Sequence, residues 1–169
     1  MRRIIIILIT LIFLISSAAC HSSNHYHPIV EPIAVDADRF TTGMTFEDFQ
    51  KLVNPREIVG VMSHYYFIAN NGQAVTINFR DVESQCYDRA VSVHICPSTV
   101  ASNAEWSAIQ PGMTDYEVVA LVGVPFRIKS SGMLTMDFVS AEGDVYRISW
   151  TTDMVVTEVN HLDENVYKS

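Results

Sequence analysis

Three histidines near the N-terminus are the first residues in the chain whose type could support chemistry. His21, His25 and His27 carry imidazole rings, which are common ligands of transition metals. No carboxylate or cysteine completes a ligand set around them, and they lie in a polar stretch that contains prolines. We therefore expect no metal site and no other cofactor, and we interpret these histidines as part of a tether.

Cysteine chemistry is the second possibility, because the chain contains Cys20, Cys86 and Cys96. His94 precedes Cys96 by two residues, and on a strand the two side chains would share a face, so a thiol nucleophile with a histidine base is geometrically possible. A disulfide between Cys86 and Cys96 is the simpler account in an exported protein, with two small buried thiols as the alternative. The sequence has no paired-carboxylate, Ser-His-Asp or phosphate-loop pattern, and we expect a protein that is not an enzyme.

The N-terminal segment indicates export. Arg2 and Arg3 precede an apolar run over 4–15, and small residues follow at 16–19, which is the layout of a signal peptide. The apolar run is short for a membrane-spanning helix, which needs about 20 residues. Cys20 directly after the small residues indicates a lipobox, in which residues 1–19 are removed and Cys20 is acylated. Ordinary secretory cleavage with a free Cys20 thiol and an uncleaved anchor are the alternatives.

Composition argues against one large class of partners. The 169-residue chain has 19 acidic and 11 basic residues and a formal net charge of −8, and removal of residues 1–19 would make this charge more negative. Nucleic acids bind to basic surfaces, so we expect no nucleic-acid partner. An acidic protein is not attracted to anionic lipid, so the acyl chains would have to hold it on the membrane.

Internal repetition organises the rest of the chain. The triplet Gly-Met-Thr occurs at 43–45 and again at 112–114, and in each copy an acidic residue follows the threonine three positions later, Asp48 and Glu117. This is the spacing of a capping box at a helix N-terminus. Each copy continues with an apolar stripe and a Pro- or Gly-containing breaker that should end a short helix. The stripes are Phe49, Leu52 and Val53 in the first copy, and Val118, Leu121 and Val122 in the second.

After each helix, alternating apolar residues predict a β-meander. The predicted strands cover 63–68, 75–80 and 90–95 in the first copy, and 134–139, 145–150 and 155–159 in the second. The fold class is therefore α+β, with tandem repeats in which short helices pack on an antiparallel meander. The predicted organisation is a signal peptide at 1–19, a tether at 20–37, and repeats at 38–100 and 101–169. Phe79 and Trp150 should occupy matching buried positions, and Trp106 should be a packing residue.

The motif Ile-x-x-Gly-Met-Thr at 109–114, followed by a helix, Gly-Val-Pro at 123–125 and a hairpin, resembles the SmpA/OmlA family of envelope lipoproteins. Two such units in one exported chain resemble the β-lactamase inhibitory protein family, whose tandem repeats form one curved sheet that grips an enzyme. The resemblance implies one curved sheet here as well. The hairpin tip at 70–73 lacks the acid that such an inhibitor inserts into its target, so the fold carries over better than the inhibition.

The sheet face opposite the helices is the candidate binding surface. It carries polar, aromatic and basic side chains, and Tyr and Arg contribute strongly to protein interfaces; an ordinary solvated sheet face is the alternative. The candidate residues are His64, Tyr66, Asn78, Arg80, Asp137, Arg147 and Ser149. We expect a non-catalytic envelope lipoprotein, in the outer membrane of a Gram-negative cell and otherwise on the cell surface, that binds a protein in envelope assembly or scaffolding. The alternative is an inhibitor of an extracellular hydrolase such as a β-lactamase.

Overall fold

The computed structural model describes residues 30–79, 88–130 and 132–162, which form a mixed α/β structure. Short 3₁₀ helices lie at Ala37–Arg39 and Glu105–Ala108. The first half contains α1 (Phe46–Leu52), β1 (Val59–Val61), β2 (His64–Ile68), β3 (Gln73–Asn78) and β4 (Ser92–Pro97). The second half contains α2 (Asp115–Val122), β5 (Arg127–Lys129), β6 (Leu134–Val139), β7 (Val145–Trp150) and β8 (Val156–Leu162).

The strands form two four-stranded antiparallel sheets, in the orders β1-β2-β3-β4 and β5-β6-β7-β8. The prediction of two sheet-based halves is therefore confirmed. The single curved sheet implied by the resemblance is not seen among the described residues, because no ladder joins the two sheets, although the edge strands β1 and β5 are in contact. Each meander also has one strand more than predicted, β1 in the first half and β5 in the second. These strands have only three residues each, and alternation cannot be recognised over so short a run.

The two halves use equivalent backbone hydrogen bonds, as the repeated triplet predicts. Gly43 N–H donates to Ala90 O at 2.7 Å, and Gly112 N–H donates to Val156 O at 2.9 Å. In both halves the next residue of the triplet, a methionine, accepts the return hydrogen bond through its carbonyl. Both glycines have a positive φ, 87° and 97°, in the region that favours glycine. The triplet thus pairs each helix start with the chain where the last strand of its sheet begins, at Ala90 just before β4 and at Val156, the first residue of β8.

Both helices begin at the predicted threonine. Thr45 Oγ1 accepts a hydrogen bond from Asp48 N–H at 3.0 Å. Thr114 forms a capping box with Glu117, whose carboxylate accepts from Thr114 N–H at 2.8 Å. These bonds satisfy first-turn amides that have no partner within the helix, so the two threonines are confirmed as matching N-caps.

The core of the first half is aromatic. The Phe49 ring of α1 lies 5.2 Å from the Phe79 ring and 6.3 Å from the Phe67 ring, measured between centroids. Phe79 is fully buried, as predicted. A helix of seven residues is too short to be stable alone, so these contacts supply the stability that α1 lacks.

Part of the predicted tether belongs to the folded body. Ile33 N–H donates to Ile68 O at 2.8 Å, and Asn70 N–H donates to Val35 O at 2.9 Å. Ile33 and Val35 also pack against the first-half core. The predicted boundary at residue 37 is therefore too late, because this apolar, proline-containing segment is held by a hairpin whose partner residues lie more than thirty positions away in the sequence.

The second-half core is shared with the first sheet. One cluster of buried residues combines side chains from α2, both sheets and the linker; its members include Val118, Val119, Val122, Met136, Phe138, Ile148 and Trp150, together with Tyr66 and Ala74. Trp150 is 4 % exposed, which confirms its predicted burial. Because α2 contacts β3 and β4 of the first sheet and belongs to the core cluster that both sheets share, Val119 is buried as well, whereas Leu121 of the predicted stripe is 42 % exposed.

The linker between the halves is tied to the second half. Thr99 O lies so close to Gly123 that an added Cβ there would approach it to 2.2 Å, and Gly123 also has a positive φ, so only glycine fits at the end of α2. Trp106 follows the linker and is 3 % exposed, with its ring stacked 4.2 Å from that of Tyr146. Trp106 is therefore a packing residue, as predicted.

Candidate functional site

A row of four residues crosses the second sheet on the face away from its core. The register places Arg127 of β5, Asp137 of β6, Arg147 of β7 and Asn160 of β8 side by side. Side chains alternate between faces along a strand, so this row points away from the core residue Ile148. We call these residues the charged row.

Asp137 holds both arginines of the charged row. Arg127 Nε donates to Asp137 Oδ2 at 2.7 Å, and Arg147 donates through Nε to Oδ1 at 2.8 Å and through Nη2 to Oδ2 at 3.1 Å. The Asp137 side chain is 1 % exposed, whereas those of Arg127 and Arg147 are 32 % and 21 % exposed. A buried carboxylate therefore fixes two guanidinium groups that still reach solvent.

The electrostatics of the charged row favour full ionisation. Burial raises the pKa of Asp137, but hydrogen bonds and positive charges from Arg147 and Arg127 outweigh it, so the pKa lies below its ordinary value. The hydrogen bond to Asp137 also raises the pKa of Arg147. One carboxylate and two guanidinium groups leave the row with a net positive charge at neutral pH. On the same face the exposed Lys129 and the exposed Glu158 offset each other.

The helices of the described ranges pack on other surfaces. Phe49 of α1 belongs to the first-half core, while Val118 of α2 and Trp106 belong to the cluster on the opposite face of the second sheet. Ser149, a predicted binding residue, lies on the face of the charged row but is only 4 % exposed. The accessible part of the predicted second-half site is therefore Arg147. The structure adds Arg127, which lies on the three-residue strand β5 that no sequence pattern indicated.

The equivalent row of the first sheet is covered instead. Its residues are Val59, Tyr66, Thr76 and His94, paired across β1 to β4 in the same register. Tyr66 O–H donates to Asp115 Oδ2 of α2 at 2.8 Å. The α2 helix of the second half thus lies over the first sheet, and a buried polar contact joins the halves.

This placement corrects the predicted binding face of the first half. Tyr66 is fully buried and His64 is 7 % exposed, with His64 Nδ1 3.1 Å from the same Asp115 oxygen. Burial and the adjacent Asp115 carboxylate raise the pKa of Tyr66 well above its ordinary value. Both residues are interior contacts, not an open surface. Asn78 is half-buried, and Arg80 lies outside the described residues.

His94 and Cys96, considered above as a base and a thiol nucleophile, have different neighbours in the structure. The His94 ring stacks on Tyr116 of α2, with centroids 4.1 Å apart and planes at 8°. Burial raises the pKa of the Cys96 thiol, which disfavours the reactive thiolate. Cys86 and Cys20 lie outside the described residues, so the Cys86–Cys96 disulfide and the acylation of Cys20 remain predictions.

Within residues 30–79, 88–130 and 132–162, no group of three or more His, Cys, Asp or Glu side chains is placed to hold a metal ion. His21, His25 and His27 lie outside these ranges. None of the described helices is both long enough and apolar enough to cross a membrane.

A groove of about 370 Å³ lies where the two halves meet. Apolar residues dominate its lining, among them Ile68, Val100, Val122 and Val139, and none of its described lining residues is charged. The volume falls within the range of small-molecule sites, but such sites also need a few converging polar groups for specificity. The charged row therefore remains the better candidate site.

The sequence matches no known family model, and no curated protein matches it significantly. The resemblance to the SmpA/OmlA and β-lactamase inhibitory protein families consequently depends on the quoted motifs alone, and any function of the charged row has to follow from its own geometry.

Proposed function

We propose that this chain is a non-catalytic lipoprotein of the cell envelope that binds a protein partner in envelope assembly or scaffolding. Export would remove residues 1–19, and acyl chains on Cys20 would hold the protein on the membrane. In a Gram-negative cell this membrane would be the outer membrane. The apolar run at 4–15 and the small residues before Cys20 support this location.

The fixed arginine pair of the charged row is the observation that carries the protein-binding proposal. Arginine is enriched at the energetic centres of protein interfaces, and its planar guanidinium forms paired hydrogen bonds with carboxylates. Arg127 and Arg147 are already held by Asp137, so they lose little conformational freedom on binding. Such preorganisation raises affinity because less side-chain entropy is lost.

The charge of the row favours an acidic group on the partner. Two arginines face one carboxylate in the row, and Lys129 and Glu158 balance each other on the same sheet face. The formal net charge of the chain is −8. The positive patch attracts carboxylates, whereas the acidic remainder of the protein surface repels them. This difference favours a single docking orientation.

The proposal includes the finer part of the predicted fold. A short helix would pack on each meander, and the two sheets together would present one curved surface. The contact between Phe49 and Phe79 and the membership of Val118 in the second-half core support the packing. The contact between β1 and β5 supports the continuity of the surface.

Substitution of Cys20 tests the anchor. Wild-type protein should fractionate with membranes, and mass spectrometry of its N-terminal peptide should show an acylated Cys20, whereas Cys20→Ser should be released. An unmodified Cys20 thiol at the mature N-terminus would contradict the lipoprotein assignment.

Substitution of Arg147 tests the binding surface. We expect an envelope protein complex to co-purify with the wild type from detergent-solubilised membranes and to be lost with Arg147→Gln. Arg56→Gln is the matched control, because Arg56 is exposed in the first half and the change in charge is the same. Equal recovery with both variants would argue against the charged row. Co-purification of a single soluble hydrolase would support the inhibitor alternative.

A further inference from the structure

The groove between the two halves has a lining that suits an apolar ligand. Its described lining residues come from the N-terminal segment, the end of β2, the linker, the end of α2 and the end of β6. Three of them carry hydroxyl groups, Ser98, Thr99 and Ser140, and the others have no polar side chain. A ligand in this groove therefore meets hydrocarbon on the side of either half.

Two of the three hydroxyl groups already have partners within the protein. Ser140 Oγ accepts a hydrogen bond from Asp144 N–H at 3.1 Å, and Thr99 Oγ1 donates to Leu121 O at 3.5 Å. A ligand that depends on hydrogen bonds for its orientation would find few of them here. A hydrocarbon chain has no such requirement, because its burial is favourable in proportion to the apolar area removed from water.

The groove also lies where the N-terminal segment joins the folded body. Val30 is the first described residue of the chain and lines the groove, and the hydrogen bond from Ile33 N–H to Ile68 O holds the segment there. Ten positions separate Val30 from Cys20, and ten residues span at most about 36 Å when fully extended. Joining a ligand to its site by so short a segment raises its effective concentration at that site.

Other occupants fit this lining less well. A polypeptide segment would bring backbone N–H and C=O groups that need hydrogen-bond partners, and the hydroxyl groups of Thr99 and Ser140 are already engaged. A charged ligand would find no opposite charge among the described lining residues. An acyl chain attached to Cys20 keeps its polar end outside the groove and places only hydrocarbon inside it.

We propose that the groove between the halves binds one of the acyl chains on Cys20. This inference rests on the acylation of Cys20 proposed above, and it assigns one acyl chain a site in the folded body. A single acyl chain gives only marginal, reversible binding to a membrane, and stable anchoring needs a second signal. An acyl chain that enters the groove is withdrawn from the bilayer, so occupancy of the groove weakens the anchor and shields hydrocarbon from water.

Fatty-acid binding tests the groove without the anchor. The protein is the Cys20→Ser chain released from the exporting cell, and the probe is a fluorescent palmitate whose binding is measured by anisotropy. Val100 lines the groove and is 59 % exposed, so Val100→Trp adds a large ring there and should weaken binding at least roughly tenfold. Val91→Trp is the matched control, because Val91 is an exposed valine outside the lining, and it should leave the affinity unchanged.

Photo-crosslinking tests whether the occupant is the protein's own acyl chain. Exporting cells are supplied with a photoreactive palmitate, and after irradiation the wild-type chain is purified and mapped by mass spectrometry. We expect a crosslink from the acyl chain on Cys20 to 98–100, 122–124 or 139–141 of the same molecule. Val100→Trp should reduce its yield at least roughly tenfold. Crosslinks to membrane lipids alone, or between isotopically distinct copies alone, would overturn the proposal.

The two experiments separate this inference from the proposed function. An unmodified Cys20 would contradict the lipoprotein assignment and the inference together, whereas an acylated Cys20 without the crosslink would overturn the inference alone. Failure of the Cys20→Ser chain to bind palmitate would also overturn it. Ala141→Trp, at another exposed position of the lining, keeps the test decisive if Val100→Trp alters folding, and unchanged binding by either folded variant would contradict the proposal.

Discussion

The charged row of the second sheet and the equivalent row of the first sheet occupy the same positions in the repeat, but the former is partly exposed and the latter is covered by a helix. In the first sheet the row contains Tyr66 and Thr76 and lies under α2. In the second sheet Asp137 and Arg147 take these two places, and the Arg147 side chain stays partly exposed. The first half uses this sheet face to bind α2 of the second half. Of the two equivalent faces, the one on the second sheet is therefore left for a partner.

The covering helix explains why the rows differ in chemistry. Ala74 and Thr76 are small, so α2 can approach β3 closely, and Asp115 at its first turn meets Tyr66 directly. A charged pair such as Arg147 and Asp137 would be costly beneath a helix because water could not reach it. The uncovered row tolerates charge, since its arginines keep part of their hydration.

The contact between the halves should give the largest effect. Asp115→Ala leaves the Tyr66 hydroxyl and the His64 ring buried without their shared acceptor, and an unsatisfied buried donor costs about 1–3 kcal/mol. We expect the free energy of unfolding in urea to fall by about 3 kcal/mol. The control Asp153→Ala removes an exposed carboxylate in the same half and should change it by less than about 0.5 kcal/mol.

A double-mutant cycle sharpens this test. Tyr66→Phe removes the hydroxyl alone, so its cost should be strongly non-additive with that of Asp115→Ala, as expected for groups in direct contact. Additive effects would mean that the two halves are not joined through this hydrogen bond, and the contrast between a covered row and an open row would lose its physical basis.

The charged row should give a smaller effect that depends on pH. Asp137→Asn removes the charge that holds Arg127 and Arg147, and we expect a loss of about 2 kcal/mol at pH 7, less than at a fully buried pair because the arginines keep part of their hydration. The pKa of Asp137 is lower in the folded protein, so its stabilising contribution is complete above the unfolded pKa of about 3.9 and disappears as pH falls through the folded pKa.

Unfolding curves between pH 7 and pH 3 measure this dependence. The difference in stability between the wild type and Asp137→Asn should be constant down to about pH 5 and should shrink below about pH 4. Asp153→Asn serves as the control with an exposed carboxylate. A difference that stays constant through the acid range would show that Asp137 is not stabilised by its arginines.

The contrast between the rows also marks what the sequence could predict. Local signals were sufficient for the caps at Thr45 and Thr114, the buried Phe79 and Trp150, and both strands of the second hairpin, because each depends on residues close in the chain. The cover on Tyr66 comes from Asp115, 49 residues later. No periodicity within β2 can reveal which face of the sheet a distant helix will cover. The prediction of the binding face in the first half was therefore wrong.

The matched caps should give the smallest effect and test the repeat itself. Thr45→Ala and Thr114→Ala each remove a hydroxyl at a helix start, at an expected cost of about 1 kcal/mol, and Thr→Ser at either position should restore most of it because the hydroxyl is kept. The surroundings differ, since α1 belongs to the first-half core and α2 belongs to the core cluster that both sheets share. If the cap acts locally, the two losses should agree within about 0.5 kcal/mol in urea unfolding. A much larger loss of stability for Thr114→Ala would mean that the capping box with Glu117 also positions Asp115 against the first sheet. The cap of the second half would then stabilise the contact between the halves as well as its own helix.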